Sequence, residues 1–68
     1  MKRMDELKVR EAVLLIPSGE IFTVYDVISL IGNKAPSTSS VGYYLRQFDD
    51  LVERLPSHAH KERPWRRI

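Results

Sequence analysis

Hydrophobic residues recur at helical spacing in the first quarter of the chain. Four of them stand at positions i, i+3, i+4 and i+7, which places them on one face of a helix. The pattern predicts a first helix from Asp5 to Ile16, with core positions Val9, Ala12, Val13 and Ile16. A Pro-Ser-Gly turn follows at 17–19, and the short apolar and β-branched run at 20–23 predicts a single strand.

A second helix is predicted directly after that strand. Thr23 is a residue type that caps helix N-termini, and Asp26 stands three residues later in the position of a capping-box partner. Gly32 and Asn33 mark the expected end of this helix. Its predicted core positions are Val24, Val27, Ile28 and Ile31.

A third helix is predicted after a turn at 33–36. Ser37 or Thr38 is expected to cap it, and the helix is expected to end near Asp49 or Asp50, where carboxylates oppose the helix dipole and favour fraying or a local turn. Its apolar face consists of Val41, Leu45 and Phe48, with Tyr44 beside them. At about 100° per residue, the opposite side is polar and carries Ser39, Tyr43, Arg46 and Asp50, flanked by Ser40 and Gln47.

The end of the chain predicts a strand, a loop and a second strand. The first arm is expected at 51–55, a polar loop from Pro56 to Arg63, and the second arm at 65–68. Pro64 removes one ladder donor. Strand alternation puts Trp65 and Ile68 on opposite faces unless a bulge intervenes.

Composition limits the chain to one small domain, residues 1–68, with 43% hydrophobic and 29% charged residues. The longest apolar run, Ala12 to Ile16, is far too short for a transmembrane span or a secretory segment. Cysteine is absent, which excludes disulfides and thiolate metal sites. We therefore expect a cytoplasmic protein with no membrane partner.

Positive charge is concentrated at the end of the sequence. The whole chain has a net charge of +2, whereas residues 51–68 carry five cations and two anions. A basic segment of this kind favours a polyanionic partner. The alternative is a tail that only improves solubility.

The whole chain resembles a winged helix-turn-helix domain, over nearly all of its length. The resemblance is carried by the capped helix "TVYDVISLIG", the turn "NKAP", the helix "STSSVGYYLRQF" and the basic ending "RPWRRI". It implies an α+β, mostly helical fold of three helices, with a short first strand and a C-terminal β-hairpin wing. It also implies that the third helix enters the major groove of double-stranded DNA while the wing reaches the backbone.

This resemblance selects the candidate DNA-binding residues. Hydroxyl groups at a helix N-terminus let phosphates approach free backbone N–H groups, and Arg and Gln can pair with guanine and adenine. Basic residues of the turn and the wing are candidates for phosphate contacts. The full set is Lys34, Ser37, Thr38, Ser39, Ser40, Tyr43, Arg46, Gln47, Lys61, Arg63, Arg66 and Arg67.

Each of these assignments has a structural alternative. The alternative for the hydroxyl cluster is simple N-capping, and for Tyr43 it is an exposed ring lying on the protein surface, while Tyr44 is expected at the edge of the core. The wing cations can be solvated. Gly42 either permits close approach of the second helix or of DNA, or is a glycine that the helix tolerates at a cost of about 1 kcal/mol.

A second, local resemblance is to the C-terminal half of alkylguanine-DNA alkyltransferases. It is carried by "IPSGEIFTVYDV", "SVG" and "LPSHAH". Ser57 stands where that family has its reactive cysteine, Ser39 stands in place of the helix arginine, and Ala59 replaces the arginine after His58. A serine without an activating base is a weak nucleophile, so alkyl transfer is not expected.

The remaining chemistry indicates a protein that is not an enzyme and needs no cofactor. His58 and His60 supply at most two metal ligands, and no third partner is evident, so no metal site is expected. The favoured function is a double-stranded DNA-binding module, such as a small transcription regulator. The alternative is a protein-interaction module on the same fold, indicated by Leu7, Leu14 and Leu30, which lie off the main core face, and by the acidic residues Asp26, Asp49, Asp50 and Glu53. A homodimer through Leu7 and Leu14 of the first helix is left open.

Overall fold

Three helices and three strands make up the described part of this computed structural model, residues 3–56 and 64–68. They form a small α+β domain in which a three-stranded antiparallel sheet accompanies the helices. The elements are α1 (Arg3–Leu14), β1 (Ile21–Phe22), α2 (Val24–Ile31), α3 (Thr38–Leu45), β2 (Val52–Arg54) and β3 (Trp65–Arg67). Within the described ranges, no helix has the length and apolar character needed to cross a membrane.

The apolar stripe of α1 is buried as its spacing predicts, but both predicted ends of the helix were wrong by two residues. The backbone N–H groups of Leu15 and Ile16 donate to carbonyls three residues earlier, at 3.1 and 2.9 Å. This tighter turn ends the helix at Leu14 while still carrying Ile16 into the core. Asp5 and Glu6 lie in the first turn, where negative charge complements the helix dipole.

The predicted start and stop signals of α2 are both present. The backbone N–H of Thr23 donates to Asp26 Oδ2 at 2.9 Å, which is the carboxylate half of a capping box. Gly32 has a φ of 95°, and its N–H donates to the Ile28 carbonyl at 2.9 Å. Glycine tolerates this positive φ without a steric penalty, so the chain can turn sharply towards α3.

α3 begins where the sequence predicts but ends earlier, so the predicted end near Asp49 or Asp50 was wrong. The N–H groups of Gln47 and Phe48 donate to carbonyls three residues back, at 2.9 and 3.1 Å, which closes the helix after Leu45. Phe48 nevertheless remains buried. The apolar face of the helix therefore continues into the following turn.

The sheet has β3 at its centre, between β1 and β2. Trp65 of β3 pairs with Phe22 on one side and Arg54 on the other, and Arg66 pairs with Ile21 and Glu53. The observed strands are slightly shorter than the predicted runs at 20–23, 51–55 and 65–68. Trp65 is buried and Ile68 is exposed, as strand alternation predicts. The predicted loop lies largely at 57–63, outside the described residues.

One cluster of side chains from all three helices and the sheet forms the core. Among the described residues, the buried side chains are all aliphatic or aromatic. Hydrophobic burial is therefore its main source of stability. The core residues are Val9, Ala12, Val13, Ile16, Phe22, Val27, Val41, Tyr44, Leu45, Phe48, Leu51, Val52 and Trp65.

Candidate nucleic-acid interface

The four hydroxyl residues at the start of α3 divide into two pairs. Ser37 is the N-cap, and its Oγ accepts a hydrogen bond from the Ser40 backbone N–H at 3.3 Å. The Ser37 hydroxyl also donates to Ser40 Oγ at 3.2 Å. Thr38 and Ser39 lie between them and are exposed. Capping thus occupies Ser37, while the hydroxyls of Thr38 and Ser39 face solvent.

Three polar side chains share the outward face of α3. Ser39, Tyr43 and Arg46 follow at i, i+4 and i+7, and all three are exposed, Tyr43 by 56%. The Tyr43 ring meets the Tyr44 ring edge to face, with 5.5 Å between centroids. Tyr43 therefore projects from the helix beside a buried neighbour. Gln47, also exposed, lies at the flank of this face.

Gly42 lies on the other flank of the same face. A Cβ built on Gly42 meets no atom within 4 Å, and its φ is not in the left-handed region. Close packing against α2, one of the two reasons the sequence suggested for this glycine, is therefore excluded. Two explanations for Gly42 remain: it lets DNA approach the helix closely, or the helix simply tolerates a glycine at this position.

Tyr44 lies at the edge of the core, as the sequence indicates, and is only 7% exposed. Burial raises the pKa of its phenol, and the carboxylates of Asp5 and Glu6 in α1 raise that pKa further. The phenol therefore keeps its proton to a higher pH than an ordinary tyrosine does. Tyr44 thus acts in packing α3 against the start of α1 rather than as a surface group.

The acidic side chains Asp26, Asp49, Asp50 and Glu53 weigh against an anionic ligand, but all of them except Asp49 have a hydrogen-bond or ion-pair partner among the described residues. Arg10 of α1 reaches Asp50 Oδ2 at 3.2 Å and lies over the Phe48 ring, 5.4 Å from its centroid. Asp26 accepts the capping bond of α2. Asp49 has no ion-pair partner among residues 3–56 and 64–68. Arg10 offsets the charge of Asp50, whereas neither Asp26 nor Asp49 has a cationic partner among the described residues.

Arg10 is a residue that sequence analysis missed. It stands beside the core stripe of α1, over the ring of buried Phe48, and its partner Asp50 lies 40 positions further along the chain. No local spacing rule connects two such residues. Only the packing of α1 against the turn after α3 brings them together.

In the predicted wing, Arg66 and Arg54 are exposed but engaged. Arg66 Nη2 pairs with Glu53 Oε2 across the strands, directly opposite in the register. The Arg54 guanidinium lies over the Trp65 ring, 5.2 Å from its centroid. Both charges stay at the surface, and the exposed ion pair of Arg66 contributes only about 0–1 kcal/mol.

Arg67 has a different position, turned back onto the protein. Its Nε donates to the Val13 carbonyl at 3.1 Å, and its Nη1 donates to the carbonyls of Ile68 at 2.7 Å and Leu51 at 3.5 Å. The guanidinium therefore supplies positive charge and donors at the C-terminal end of α1, which has no basic residue in its own last turn. Arg67 connects three parts of the fold.

Lys34 is exposed but lies beside α1. Its backbone carbonyl accepts a hydrogen bond from Lys8 Nζ at 3.4 Å, and both lysines line a groove between α1 and α2 together with Leu15 and Leu30. Ser39, Tyr43 and Arg46 do not line this groove. The structure thus associates Lys34 with the α1–α2 groove and not with the outward face of α3.

Several sequence-predicted residues lie outside the described ranges. They include the wing cations Lys61 and Arg63, and also Ser57, His58 and His60. In the described ranges, no group of three or more His, Cys, Asp or Glu side chains is arranged to hold a metal ion.

In comparisons with known proteins, no family model, no curated protein and no solved structure matches this chain. Its function is therefore inferred from its residues and their geometry.

Proposed function

We propose that the chain is a double-stranded DNA-binding module of the winged helix-turn-helix class, of the kind found in small transcription regulators. α2, the turn after it and α3 would form the helix-turn-helix, and the hairpin of β2 and β3 the wing. The element order and the central position of β3 in the sheet support this assignment. α3 would enter the major groove, with the wing against the backbone.

The observation that carries the proposal is the outward face of α3. Ser39, Tyr43 and Arg46 project from one side of a helix whose other side is fully buried. Within the described residues, Arg46 has no ion-pair partner, so its guanidinium is available to a base edge or a phosphate. Tyr43 adds an aromatic ring and a hydroxyl group, and its side chain is similar in length to that of Arg46.

The surrounding charges support the same face. Asp50 is paired with Arg10, and Glu53 is paired with Arg66. Arg66 can leave Glu53 for a phosphate at little cost, because the exposed pair contributes only about 0–1 kcal/mol. We retain Arg66 as a wing contact, with Lys61 and Arg63 as predictions that the described residues do not test. Arg67 and Lys34 are left out of the interface because their contacts lie elsewhere.

The first test is a titration of labelled, mixed-sequence duplex by fluorescence anisotropy over a range of salt concentrations. Each phosphate contact is expected to contribute about 0.9 to the slope of log affinity against log salt. Undetectable binding at low salt, or binding that salt does not weaken, would contradict the proposal.

Paired variants then test the α3 face itself. Tyr43→Ala is expected to weaken duplex binding, whereas Tyr25→Ala, a matched tyrosine of α2 with 55% exposure, is expected to leave it nearly unchanged. Arg46→Ala should weaken binding about tenfold or more, in line with roughly 1–3 kcal/mol for a good base contact. Arg46→Lys separates two cases: a phosphate contact tolerates lysine, while a bidentate guanine contact does not. Equal effects of Tyr43→Ala and Tyr25→Ala would rule out α3 as the reading element.

A second candidate function, a protein-interaction module, is favoured by the exposed leucines beside the α1–α2 groove. An NMR titration with mixed duplex DNA distinguishes the two functions. Shifts confined to α3 and the hairpin support DNA binding. A spectrum that does not respond to DNA supports the interaction module.

A further inference from the structure

A second exposed surface lies between α1, α2 and β1. Leu15 is 70% exposed and Leu30 is 48% exposed, and both leucines line two adjoining open grooves of about 420 and 440 Å³. Ile21 of β1, which is also exposed, lines the second groove. The described side chains of the α3 face line neither groove. The surface is therefore distinct from the proposed DNA interface.

The two grooves carry opposite charge. The first is lined by Lys8 and Lys34, with Glu11 as its single acid. The second is lined by Glu20 and Asp26 and by no cation among the described residues. Since Leu15 and Leu30 line both grooves, the surface runs from a basic end through an apolar middle to an acidic end.

We propose that this surface binds a second copy of the same chain through a two-fold axis that passes between Leu15 and Leu30. In such an isologous contact, both copies use the same surface. If one residue of the first copy contacts a second residue of the other copy, the same two residues are in contact again with the copies exchanged. Leu15 of one copy then packs on Leu30 of the other. The basic end around Lys34 meets the acidic end around Glu20 twice, once on each side of the axis.

The charge order is what selects a second copy as the occupant. A surface of one sign would favour an oppositely charged partner, and Glu20 and Asp26 disfavour nucleic acid or an anionic membrane at one end. A basic–apolar–acidic order complements itself when it is turned by 180°. Opposite charges facing each other across the contact fix its orientation and suppress other partners.

The first experiment measures mass in solution by sedimentation equilibrium, without DNA, at concentrations up to about 1 mM. We expect a concentration-dependent approach to twice the chain mass of 7.9 kDa. Leu15→Ser and Leu30→Ser should raise the dissociation constant of the dimer at least tenfold. The matched controls Leu7→Ser and Leu14→Ser change exposed leucines that line neither groove, and should leave the dimer intact. Circular dichroism checks that every variant is folded.

Charge reversal makes the test specific to the two-fold arrangement. Lys34→Glu makes the basic end more acidic, and Glu20→Lys makes the acidic end more basic, so each variant alone should remain monomeric. Mixed one to one, the two variants should form a heterodimer, because each then meets a complementary surface. A monomer at every concentration overturns the proposal. The proposal is also overturned if the dimer is lost only in the Leu7 and Leu14 variants, or if charge reversal leaves the dimer unchanged. It is overturned as well if Lys34→Glu and Glu20→Lys do not form a heterodimer when they are mixed. Because no DNA is present, the result is independent of whether the chain binds DNA.

Discussion

Replacing Arg67 with alanine should destabilise the fold much more than the same change at its neighbour Arg66. The Arg67 guanidinium is part-buried and donates to the carbonyls of Val13 and Ile68, with a longer bond to Leu51. Hydrogen bonds that involve a charged group contribute about 1.5–3 kcal/mol each. Partial exposure and the 3.5 Å length of one bond reduce the total, and we expect a loss of about 2–3 kcal/mol.

Arg66 provides the matched control. It occupies the adjacent position in β3, but its contact with Glu53 is an exposed ion pair, which contributes only about 0–1 kcal/mol. In a domain of this size, 1 kcal/mol shifts the melting temperature by about 4–8 °C. Arg67→Ala should therefore lower it by about 8–24 °C, and Arg66→Ala by no more than about 8 °C.

Thermal and urea unfolding followed by circular dichroism measure both variants. Arg67→Lys keeps the charge but loses the forked geometry of the guanidinium, and should fall between the wild-type chain and Arg67→Ala. Equal losses at Arg66 and Arg67 would refute the structural assignment of Arg67. DNA binding should show the reverse order: Arg66→Ala reduces the salt slope by about 1, and Arg67→Ala, measured below its melting temperature, does not.

Three further changes test local features. Gly42→Ala should stabilise the chain by about 0.5–1 kcal/mol, because the added Cβ meets no atom within 4 Å; a lower melting temperature would contradict this. Ser37→Ala should cost about 1 kcal/mol in urea unfolding through loss of the N-cap, with Thr38→Ala, which removes no capping bond, as the control; equal losses would contradict the cap. Tyrosinate absorbance is titrated against pH in the wild-type chain and in Tyr44→Phe, and the difference between the two curves reports Tyr44 alone. The pKa of Tyr44 should lie above the usual value of about 10, since burial and two carboxylates disfavour the phenolate. The raised folded-state pKa of Tyr44 contributes stability below about pH 10 that is lost as pH rises through that pKa, and a midpoint at or below 10 would contradict its burial.

Periodicity predicted the helices and their buried faces because each face depends on neighbours three or four positions apart. The spacing of Val9, Val13 and Ile16 was sufficient to place α1 against the core. Helix ends were predicted less well. α3 closes after Leu45 through hydrogen bonds to carbonyls three residues back, and no residue type at 46–48 signals that change.

Contacts between distant parts of the chain were beyond sequence reasoning. Arg67 reads as one more basic residue in "RPWRRI", yet the register of β3 turns it towards the end of α1. Arg10 and Asp50 are brought together by helix packing alone. For the candidate interface, the polar face of α3 was predictable from helical spacing. The division of its hydroxyls into capping and exposed pairs was not, because four consecutive Ser and Thr residues offer the same chemistry.

Among the described residues of the C-terminal segment, fewer cations are free to contact DNA than the sequence suggests. Residues 51–68 carry five cations, but Arg67 is turned inward and Arg54 lies over Trp65. With Arg46, Arg66 and the two predicted wing contacts Lys61 and Arg63, one chain would have a salt slope of about 3.6, at roughly 0.9 for each contact. A dimer formed through Leu15 and Leu30 would double the number of contacts without any new cation, so the steepness of the salt dependence itself distinguishes one bound copy from two.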